Sequence, residues 1–521
     1  MTLDATDALV RALHEHNPWW EAGADAFDLP QREKSDFYHL ARPDGQGSQF
    51  EDQSVLGIVG RRGVGKTTLL QQFIAQRLEN GARPEQFLYL PFDADPLYQL
   101  HSDAQLRQAV RYYESRILGG SRNASPQFVL LDDVHRIEHA DKPAVDGWGT
   151  PVTELLAVDS PRHVAVTASA ALQVTRELDR VSLPATEYAV QPILPEKFRD
   201  YLFTLYPSLE ADGTRISPSS LRAGDTSIPT ALQTGDIDPL VADLRAKYDQ
   251  VADVERQIQS QLVEYLLMGG VISYEVDGAA ASVTDLPANA YEQLRVDVRN
   301  ALYQEVPGFD SIRTIADLER LCALAARNCG RDALRYQDLV ELFDVDRRTI
   351  ADSYLPALAA LYVLTGVTEY DNSRPRAVRL YLRDTGLVTA LTDGDPAALR
   401  TDFAREADLA RVAGFDHTMR FAYGIQAAQQ SDPAPTVQYW RGQDGTVAYV
   451  FEVNGTPVPI GLAYRSQAYE SSRAALREFM QVYDTPVGFL LTGDTMHSDR
   501  PIERLDDTII ALPYWLYLFI C

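Results

Sequence analysis

Short apolar runs alternate with longer amphipathic stretches over the first two hundred residues. The runs lie at residues 55–59, 86–91, 128–131 and 163–169. Continuous apolar runs are typical of strands that are buried on both faces, and helices between them favour a parallel sheet. The pattern therefore predicts an α/β domain with helices over residues 67–78 and 102–118.

The second half of the chain begins with helical patterns. A long helix is predicted over residues 241–267. Residues 336–343 and 347–355 predict two helices joined by a turn, which is helix-turn-helix spacing. Apolar residues at 367 and 378–382 are expected to form a wing after this pair.

The last part of the chain contains strand patterns. Residues 437–441 and 446–453 predict paired strands, and residues 459–464 predict the next one. The apolar residues 509–521 are expected to form a buried strand or a hydrophobic tail that packs on the body. Residues 207–236 are rich in Ser, Pro, Gly and Thr, and this composition predicts a linker or an insertion.

The loop after the first apolar run has the spacing G-x-x-x-x-G-K-[ST], which is the phosphate-binding P-loop. Its glycines let successive N–H groups point at phosphate oxygens, and the next helix adds its positive N-terminal end. Lys66 is expected to contact the β- and γ-phosphates of ATP, and the Thr67 hydroxyl to hold Mg²⁺. The predicted nucleotide-binding residues are Gly60, Arg61, Arg62, Gly63, Val64, Gly65, Lys66, Thr67 and Thr68.

Two carboxylates follow the third apolar run. Asp132 and Asp133 stand at the C-terminal end of a predicted strand, where ligands bind in α/β sheets. In this Walker B arrangement, Asp132 is expected to hold Mg²⁺ through water, and Asp133 to orient the attacking water. Aspartate is one methylene shorter than glutamate, which favours slow hydrolysis. The alternative is a pair of acids that cap the next helix.

Polar groups also follow the fourth apolar run. Thr167 or Ser169 is expected to sense the γ-phosphate, and Arg176 or Arg180 to reach a phosphate in cis or in a neighbouring subunit. The alternative for each arginine is a surface ion pair.

Two further motifs have competing interpretations. His135 to His139 matches H-x-x-E-H, a zinc-peptidase signature that requires a long helix, whereas Asp141 and Pro143 interrupt any helix here. Trp19 and Trp20 precede the P-loop, where they would either stack on an adenine or anchor the packing.

The charge balance is strongly acidic, with a formal net charge of −26. The acids are spread along the chain, and only five residues are lysine although arginine is common. This composition resembles proteins of salt-loving archaea, and the alternative is an acidic regulatory or partner-binding protein. High salt screens charge repulsion, so the net charge does not exclude nucleic acid.

Cysteine content and hydropathy indicate a cytoplasmic protein. The three cysteines form neither a disulfide framework nor a zinc spacing, which indicates a reducing compartment. The N-terminus lacks the features of a signal peptide, and no apolar stretch is long enough to predict a membrane span.

Four segments together look like the AAA-type ATPases of archaea and bacteria that carry a C-terminal domain of unknown function. The segments are residues 60–70, 130–135, 164–169 and 191–198. The resemblance implies ATP hydrolysis and places Arg180 at the family's arginine position. The family usually has Asp-Glu where this chain has Asp132 and Asp133.

We therefore expect an α/β P-loop NTPase with an AAA/RecA-like parallel sheet, followed by a winged helix-turn-helix and an α/β nuclease-like domain. The expected regions are an N-terminal helical segment (1–50), the ATPase core (51–205), a linker and helical lid (206–300), a winged-helix domain (301–390) and a restriction-endonuclease-like domain (391–521).

Arginines mark the predicted winged helix. Arg347 and Arg348 open its second helix, and Arg374, Arg376, Arg379 and Arg383 crowd the wing. A positive patch in an acidic chain favours contact with double-stranded DNA. The alternative is a winged helix used only for packing.

The last region resembles restriction endonucleases but has lost their chemistry. A metal-dependent nuclease needs clustered carboxylates and a lysine. At the corresponding positions this chain has Ala448, Gly461 and Ala463, and Glu452 is the nearby carboxylate. We therefore predict a nuclease-shaped domain without nuclease activity.

The combined expectation is Mg-dependent ATP binding and hydrolysis that drives a switch or motor on DNA or on a protein partner, in a possible homo-oligomer. Two alternatives stay open. One is a regulatory protein that binds ATP and hydrolyses little of it, and the other is a DNA-binding module without motor activity.

Overall fold

The computed structural model divides the chain into two units. The first comprises Met1–Leu194 with Ala360–Tyr362, and the second comprises Pro195–Ala359 with Val363–Cys521. The structure describes residues 7–27, 49–93, 102–119, 126–139, 142–157, 161–205, 219–271, 289–306, 312, 314–392, 402–429, 436–493 and 501–521.

A five-stranded parallel sheet forms the centre of the first unit. Its strands are β1 (Val55–Val59), β2 (Phe87–Pro91), β3 (Gln127–Asp132), β6 (Arg162–Ala168) and β7 (Tyr188–Pro192), and a separate ribbon pairs β4 (Glu138–His139) with β5 (Lys142–Asp146). The order across the sheet is β2-β3-β6-β1-β7. All four predicted strands are present, and they are parallel as predicted.

Helices cover this sheet. They are α1 (Asp7–His16), α2 (Trp19–Ala22), α3 (Gln49–Asp52), α4 (Lys66–Glu79), α5 (Asp103–Tyr112), α6 (Gly149–Leu156) and α7 (Ala171–Arg180). Short 3₁₀ turns occur at Gly23–Ala26, Pro84–Gln86 and Val134–Arg136, and a π turn at Tyr113–Ile117. The Ser102 side chain caps α5, where it accepts a hydrogen bond from the Gln105 backbone. The two helices predicted here are confirmed, and the second ends in the π turn.

Apolar side chains are buried on both faces of the sheet, as its continuous apolar runs require. The tryptophan pair belongs to this packing. Trp19 stacks on Phe27 with 5.2 Å between ring centroids, and the Trp20 indole donates a 2.9 Å hydrogen bond to the Phe87 carbonyl. The two tryptophans therefore anchor the N-terminal segment, which is the packing interpretation.

The second unit is largely helical. Its α-helices are α8 (Phe198–Leu205), α9 (Ser219–Arg222), α10 (Ile228–Thr234), α11 (Asp238–Asp249), α12 (Glu255–Met268), α13 (Ala290–Asn300), α14 (Ile315–Asn328), α15 (Tyr336–Phe343), α16 (Leu355–Ala360), α17 (Thr385–Leu391), α18 (Phe403–Gln429), α19 (Tyr469–Tyr483) and α20 (Tyr514–Ile520). Shorter 3₁₀ turns lie at Ala252–Val254 and Ser466–Ala468, and π turns at Ala301–Glu305 and Thr349–Tyr354.

One prediction for this helical part was wrong. The helix predicted over residues 241–267 is two helices, α11 and α12, separated by a 3₁₀ turn. The break contains valine and aspartate residues, which are poor helix formers. Val251 is completely buried at this point. The segment predicted as a linker or an insertion contains α9 and α10, in which Leu221 and Ile228 are buried, and its assignment stays a prediction. Residues 207–218 of that segment lie outside the described residues.

The structure contains the helices and the turn that the helix-turn-helix prediction requires. Helix α15 is followed by Asp344 in the left-handed conformation and then by the π turn and α16. A three-stranded sheet in the order β8-β10-β9 accompanies them, with β8 at Leu334–Arg335, β9 at Leu364–Val367 and β10 at Ala377–Leu382. These elements have the sequence order of a winged helix, whose assignment as a DNA-binding domain stays a prediction.

A six-stranded sheet completes the second unit. Its strands are β11 (Gln438–Arg441), β12 (Thr446–Val453), β13 (Thr456–Ala463), β14 (Gly488–Thr492), β15 (Glu503–Leu505) and β16 (Ile509–Pro513), in the order β11-β12-β13-β14-β16-β15. The β13–β14 and β14–β16 pairs are parallel and the others antiparallel. The three strands predicted before residue 465 are present, and the nuclease-like assignment stays a prediction.

The apolar C-terminal run is only partly a strand. Strand β16 ends at Pro513, and α20, which follows, is buried at every position. A run that is buried all round has no periodicity to distinguish helix from strand, which explains the difference. No helix in the described part of the chain is both long and apolar enough to cross a membrane.

Candidate nucleotide-binding site

The P-loop connects β1 to α4 in the first unit. A side chain at Gly60 would collide with the Ile193 carbonyl oxygen, so only glycine fits beside the end of β7. Gly65 has φ of 86° directly before α4, a conformation that favours glycine. The free N–H groups of a 14-residue helix therefore begin at Lys66, as an anion site requires.

The Lys66 side chain lies within this loop. Its Nζ atom donates hydrogen bonds to the Gly60 carbonyl at 2.8 Å and to the Arg61 carbonyl at 3.2 Å. Arg61 and Val64 are buried, whereas the Arg62 side chain is half exposed and lies 3.9 Å from Asp93. The predicted P-loop residues are thus contiguous in space, with the Lys66 ammonium held against the loop backbone.

The Asp132 carboxylate accepts hydrogen bonds from three hydroxyl groups. Thr67 donates to its Oδ2 atom at 2.6 Å, Tyr89 donates to the same atom at 2.8 Å, and Thr167 donates to Oδ1. The structure thereby brings together the two predicted metal ligands, Thr67 and Asp132, and the predicted sensor Thr167. A hydroxyl and a carboxylate at this spacing suit Mg²⁺, which takes oxygen ligands and keeps several waters.

Asp133 adopts the left-handed conformation at the end of β3. Its φ is 56°, and its N–H donates a 2.8 Å hydrogen bond to the Thr167 hydroxyl. Its side chain does not cap the 3₁₀ turn that follows, so the capping interpretation is wrong. The His135 Nδ1 atom lies 3.9 Å from the Asp133 carboxylate.

The two carboxylates differ in their electrostatic environment. Burial and the neighbouring charge of Asp133 raise the pKa of Asp132, although the three hydroxyl donors oppose the change. Burial also disfavours ionisation of Asp133, but the charges of Lys66, His135 and Arg136 outweigh it and lower its pKa. Asp133 is therefore the more readily ionised of the two, as a water-orienting group requires.

Comparison with known families identifies this domain. Residues 52–202 match a family described as AAA domain. They are an AAA-type P-loop ATPase domain. Residues 278–398 match a domain of unknown function, DUF8612. No curated protein matches the chain significantly.

Similar solved structures are distant. A Walker-type ATPase of Pyrococcus abyssi is 12% identical, with 71% of this chain and 99% of that chain covered and a TM-score of 0.35. The ORC2 protein of Aeropyrum pernix, in ADPNP-ADP complexes, is 16% identical over 78% of this chain and 98% of that chain, with a TM-score of 0.32. The ORC1 protein of the same organism, in complex with DNA, is 14% identical over 71% and 94%, with a TM-score of 0.26.

The AAA domain contains two site residues that the sequence did not single out. Asp93 follows β2, and burial together with the Asp133 charge raises its pKa. An acid just after an apolar run was a usable signal, the same one that pointed to Asp132. Tyr89 lies inside the β2 run, where its hydroxyl gave no signal.

The other polar groups of the domain have structural partners. Arg180 forms an ion pair with Glu177, whose carboxylate also accepts a hydrogen bond from the Gly149 N–H at 2.8 Å. This is the ion pair of the alternative interpretation, and a contact of Arg180 with phosphate stays a prediction. The Ser169 N–H donates to Gln173 at 3.1 Å, and Ser169 is buried.

The zinc-peptidase interpretation is wrong. His135 lies in a 3₁₀ turn and residues 138–139 form a strand, so the motif has no helix to bring its ligands together. Within the ranges that the structure describes, no group of three His, Cys, Asp or Glu side chains could hold a metal ion.

Four of the five arginines predicted to contact DNA are exposed. Arg347, Arg348, Arg374 and Arg376 are exposed in the second unit. Arg379 is 6% exposed and stacks over the Tyr439 ring at 4.3 Å, so its assignment to a DNA surface was wrong. The reason is that Tyr439 of β11 packs against this residue of β10, whereas the sequence grouped all these arginines with the exposed wing.

Proposed function

We propose that the AAA domain binds Mg·ATP and hydrolyses it, and that the chain acts as a nucleotide-driven switch or motor on a partner. The observation that carries the proposal is the 2.6 Å hydrogen bond from Thr67 to Asp132, because it joins the P-loop to the Walker B strand. Two groups that are distant in sequence thus form one oxygen site beside the phosphate loop.

Each residue of the site has a role in this reaction. The loop N–H groups and Lys66 bind phosphate oxygens, and Lys66 stabilises the charge that develops on the γ-phosphate. Thr67 and Asp132 would hold Mg²⁺, which neutralises phosphate charge when bound. Asp133 orients the attacking water, and its ionised carboxylate accepts a hydrogen bond from that water.

A second candidate is a nucleotide-dependent binding protein that hydrolyses little ATP. The short side chain of Asp133 motivates it, and so does the hydrogen bond that Asp93 shares with this carboxylate. This hydrogen bond takes one acceptor position of the Asp133 carboxylate and lowers its basicity, which would slow the activation of water. Slow turnover with tight nucleotide binding would favour this candidate.

We propose that the second unit binds DNA. Arg347, Arg348, Arg374 and Arg376 provide exposed positive charge in a chain of net charge −26. The Arg347 guanidinium stacks on the Tyr336 ring at 4.8 Å and donates to the Pro375 carbonyl at 2.7 Å, which fixes its direction.

We also propose that the last region lacks nuclease activity, because Ala448, Gly461 and Ala463 cannot bind a metal.

The decisive experiment measures ATP hydrolysis in molar KCl for the wild type and for Lys66→Ala, with and without duplex DNA. Lys66→Ala should abolish turnover, whereas Lys247→Ala, which removes a lysine of the second unit, should leave turnover intact. Hydrolysis that persists in Lys66→Ala contradicts the proposal. Stimulation by DNA supports a DNA partner, and its absence favours a protein partner.

A further inference from the structure

The third hydroxyl on the Walker B carboxylate comes from a residue outside the nucleotide-binding motifs. We infer that Tyr89 is a positioning residue of the magnesium site, and that Asn17 holds Tyr89 in place. The inference rests on the proposed function, because it concerns how the chain prepares Asp132 for a metal-bound water. It assigns a role in the nucleotide site to the N-terminal segment and to the middle of β2.

Strand register places Tyr89 beside Asp132. Strands β2 and β3 are parallel, with Tyr89 opposite Leu130 and Pro91 opposite Asp132. Tyr89 and Asp132 are therefore diagonal neighbours on the same face of the sheet, within reach of a long aromatic side chain. The phenol lies along the face and ends 2.8 Å from the Oδ2 atom of Asp132. Tyr89 is 4% exposed, so its hydroxyl has this one orientation within the packed core.

The number of acceptor positions on Asp132 explains what Tyr89 contributes. An ionised carboxylate offers about four lone-pair positions. Thr167 occupies one on Oδ1, while Thr67 and Tyr89 occupy two on Oδ2. One position is left on the carboxylate, which matches a single hydrogen bond from a metal-bound water. With the Tyr89 hydroxyl removed, a second position opens, and the Oδ2 atom keeps only the hydrogen bond from Thr67.

The three donors are not equivalent. Thr67 belongs to the P-loop helix and must also contact the metal, so it cannot orient Asp132 independently of the ligand. Thr167 and Tyr89 lie on β6 and β2, the two strands that flank β3. They hold the two oxygen atoms from opposite sides, and together they fix the carboxylate plane before Mg²⁺ binds. Partners that orient a metal ligand in this way commonly contribute to metal affinity.

The Asn17 side chain holds the backbone of Tyr89. Among the strands that the structure describes, β2 is at an edge of its sheet, so one side of its backbone has no strand neighbour there. The Asn17 amide fills this place: its Oδ1 atom accepts from the Tyr89 N–H at 2.7 Å, and its Nδ2 donates to the Tyr89 carbonyl at 2.9 Å. The same Nδ2 donates to the Leu13 carbonyl at 2.8 Å, which ties the pair to α1. Asn17 is 1% exposed, so these bonds do not compete with water.

The test compares Tyr89→Phe with Tyr113→Phe in the full chain. Both changes remove one buried phenol hydroxyl from the first unit, but the Tyr113 hydroxyl donates to the Glu85 carbonyl at 2.7 Å and not to a carboxylate of the site. Binding of a fluorescent ATP analogue is titrated with Mg²⁺, and nucleotide affinity is also measured in EDTA. Thermal unfolding establishes that both variants are folded.

Tyr89→Phe should raise the Mg²⁺ concentration needed for half-maximal nucleotide binding by about tenfold. It should leave the affinity in EDTA unchanged, because Asp132 acts through the metal. Tyr113→Phe should match the wild type in both measurements. Asn17→Ala should shift the Mg²⁺ midpoint in the same direction as Tyr89→Phe.

Three results would overturn the inference. The first is a Tyr89→Phe variant whose Mg²⁺ midpoint equals that of a wild type that binds Mg-nucleotide. This result would leave the proposed function unaffected. The second is an equal shift in Tyr113→Phe, which would mean that any lost core hydroxyl loosens the site. The third is a wild type that binds no Mg-nucleotide, which rejects the proposed function as well.

Discussion

The Thr167 hydroxyl accepts a 2.8 Å hydrogen bond from the backbone N–H of Asp133. The same hydroxyl donates to the carboxylate of Asp132, so one side chain on β6 holds both Walker B residues. Asp133 is thereby fixed in the left-handed conformation, which is uncommon for a residue with a side chain. In this structure the predicted sensor residue thus supports both the proposed metal ligand, Asp132, and the proposed water-orienting group, Asp133.

Thr167→Val should lower both stability and turnover. Valine has nearly the same shape but leaves the partly buried Asp133 N–H without its acceptor, at a cost of about 1 kcal/mol. ATP turnover should fall because the carboxylates lose their alignment. Chemical unfolding and a steady-state ATPase assay measure the two effects. Thr485→Val is the matched control: it removes a 2.7 Å hydrogen bond from a buried threonine to the Pro457 carbonyl in the second unit. An equal loss of turnover in this control would contradict the assignment.

Asp132→Asn should stabilise the metal-free protein and abolish Mg²⁺-dependent nucleotide binding. Because burial and Asp133 raise the pKa of Asp132 in the folded protein, its ionised form opposes folding. The penalty is absent at a pH below the ordinary pKa of an aspartate and grows as the pH rises through the elevated value. Removing the charge should raise the melting temperature in EDTA at pH 7 by about 2–4 °C, as about 1 kcal/mol does for a domain of this size.

Differential scanning fluorimetry at pH 7 and pH 5 tests the sign of this effect. The advantage of Asp132→Asn over the wild type should be smaller at pH 5. A variant that melts below the wild type at pH 7 would show that the hydroxyl donors fully compensate the buried charge. Nucleotide binding in EDTA serves as the control, since it should be the same in both proteins.

Asp133→Asn and Asp133→Glu separate hydrolysis from binding. The asparagine variant should bind ATP but hydrolyse it about a hundredfold more slowly, the usual range for loss of a general base. The glutamate variant lengthens the side chain by one methylene and should raise turnover if the short side chain limits the rate. Single-turnover hydrolysis provides the measurement. Fast hydrolysis in the wild type, with no gain in Asp133→Glu, would remove the binding-protein alternative.

Much of the AAA domain follows from sequence patterns because its chemistry is local. The P-loop spacing determines both the backbone turn and the position of Lys66, and an acid after an apolar run must emerge at the ligand-binding edge of a parallel sheet. Thr67 and Asp132 could therefore be paired without coordinates. Tyr89 could not, because its role depends on the register between β2 and β3, and the amino-acid pattern does not contain that register.

The errors in the second unit have a different physical origin. Arg379 was grouped with its exposed neighbours by sequence position, but its guanidinium is buried against the Tyr439 ring. Residues 514–520 are apolar at every position, so no periodicity distinguishes a buried helix from a strand. In both cases tertiary packing determines the structure, and a pattern of neighbouring residues contains no information about that packing.

The exposed arginines should control DNA affinity and its dependence on salt. Each arginine that contacts a phosphate contributes about one unit to the slope of log affinity against log salt concentration. The double variant Arg347→Ala, Arg348→Ala should therefore weaken duplex binding and reduce the slope by up to about two units. Fluorescence anisotropy with a labelled duplex at several KCl concentrations provides the slope.

Arg379→Ala is the control for the DNA experiment. Its guanidinium is buried over Tyr439, so its loss should lower the melting temperature and leave the salt slope unchanged. A slope that changes in Arg379→Ala but not in the double variant would place the DNA contact elsewhere. No detectable binding of duplex DNA by the wild type would favour a packing role for the helix pair.

His417 should make the second unit sensitive to acid. Its ring is fully buried, Nε2 accepts from the Phe198 N–H at 3.1 Å, and Nδ1 donates to the Ala413 carbonyl at 2.9 Å. Burial and the charge of Arg420 lower its pKa to about 3, although the charge of Asp416 opposes the change. The unfolded chain binds a proton near pH 6.5, whereas the folded one remains neutral until about pH 3. Stability is therefore complete above pH 6.5 and is lost as the pH falls from 6.5 towards 3.

His417→Gln should flatten this profile, because glutamine offers an acceptor and a donor but does not titrate. Between pH 6 and pH 4 the wild type should lose up to about 1.4 kcal/mol more per pH unit than the variant. Urea unfolding of both proteins across this range measures the difference in stability. Subtracting one profile from the other removes the contribution of the carboxylates, which titrate in both proteins. Parallel profiles would mean that the ring is protonated in the folded protein. In that case the Nε2 atom cannot be the acceptor of the Phe198 N–H, and the start of α8 must rearrange in acid.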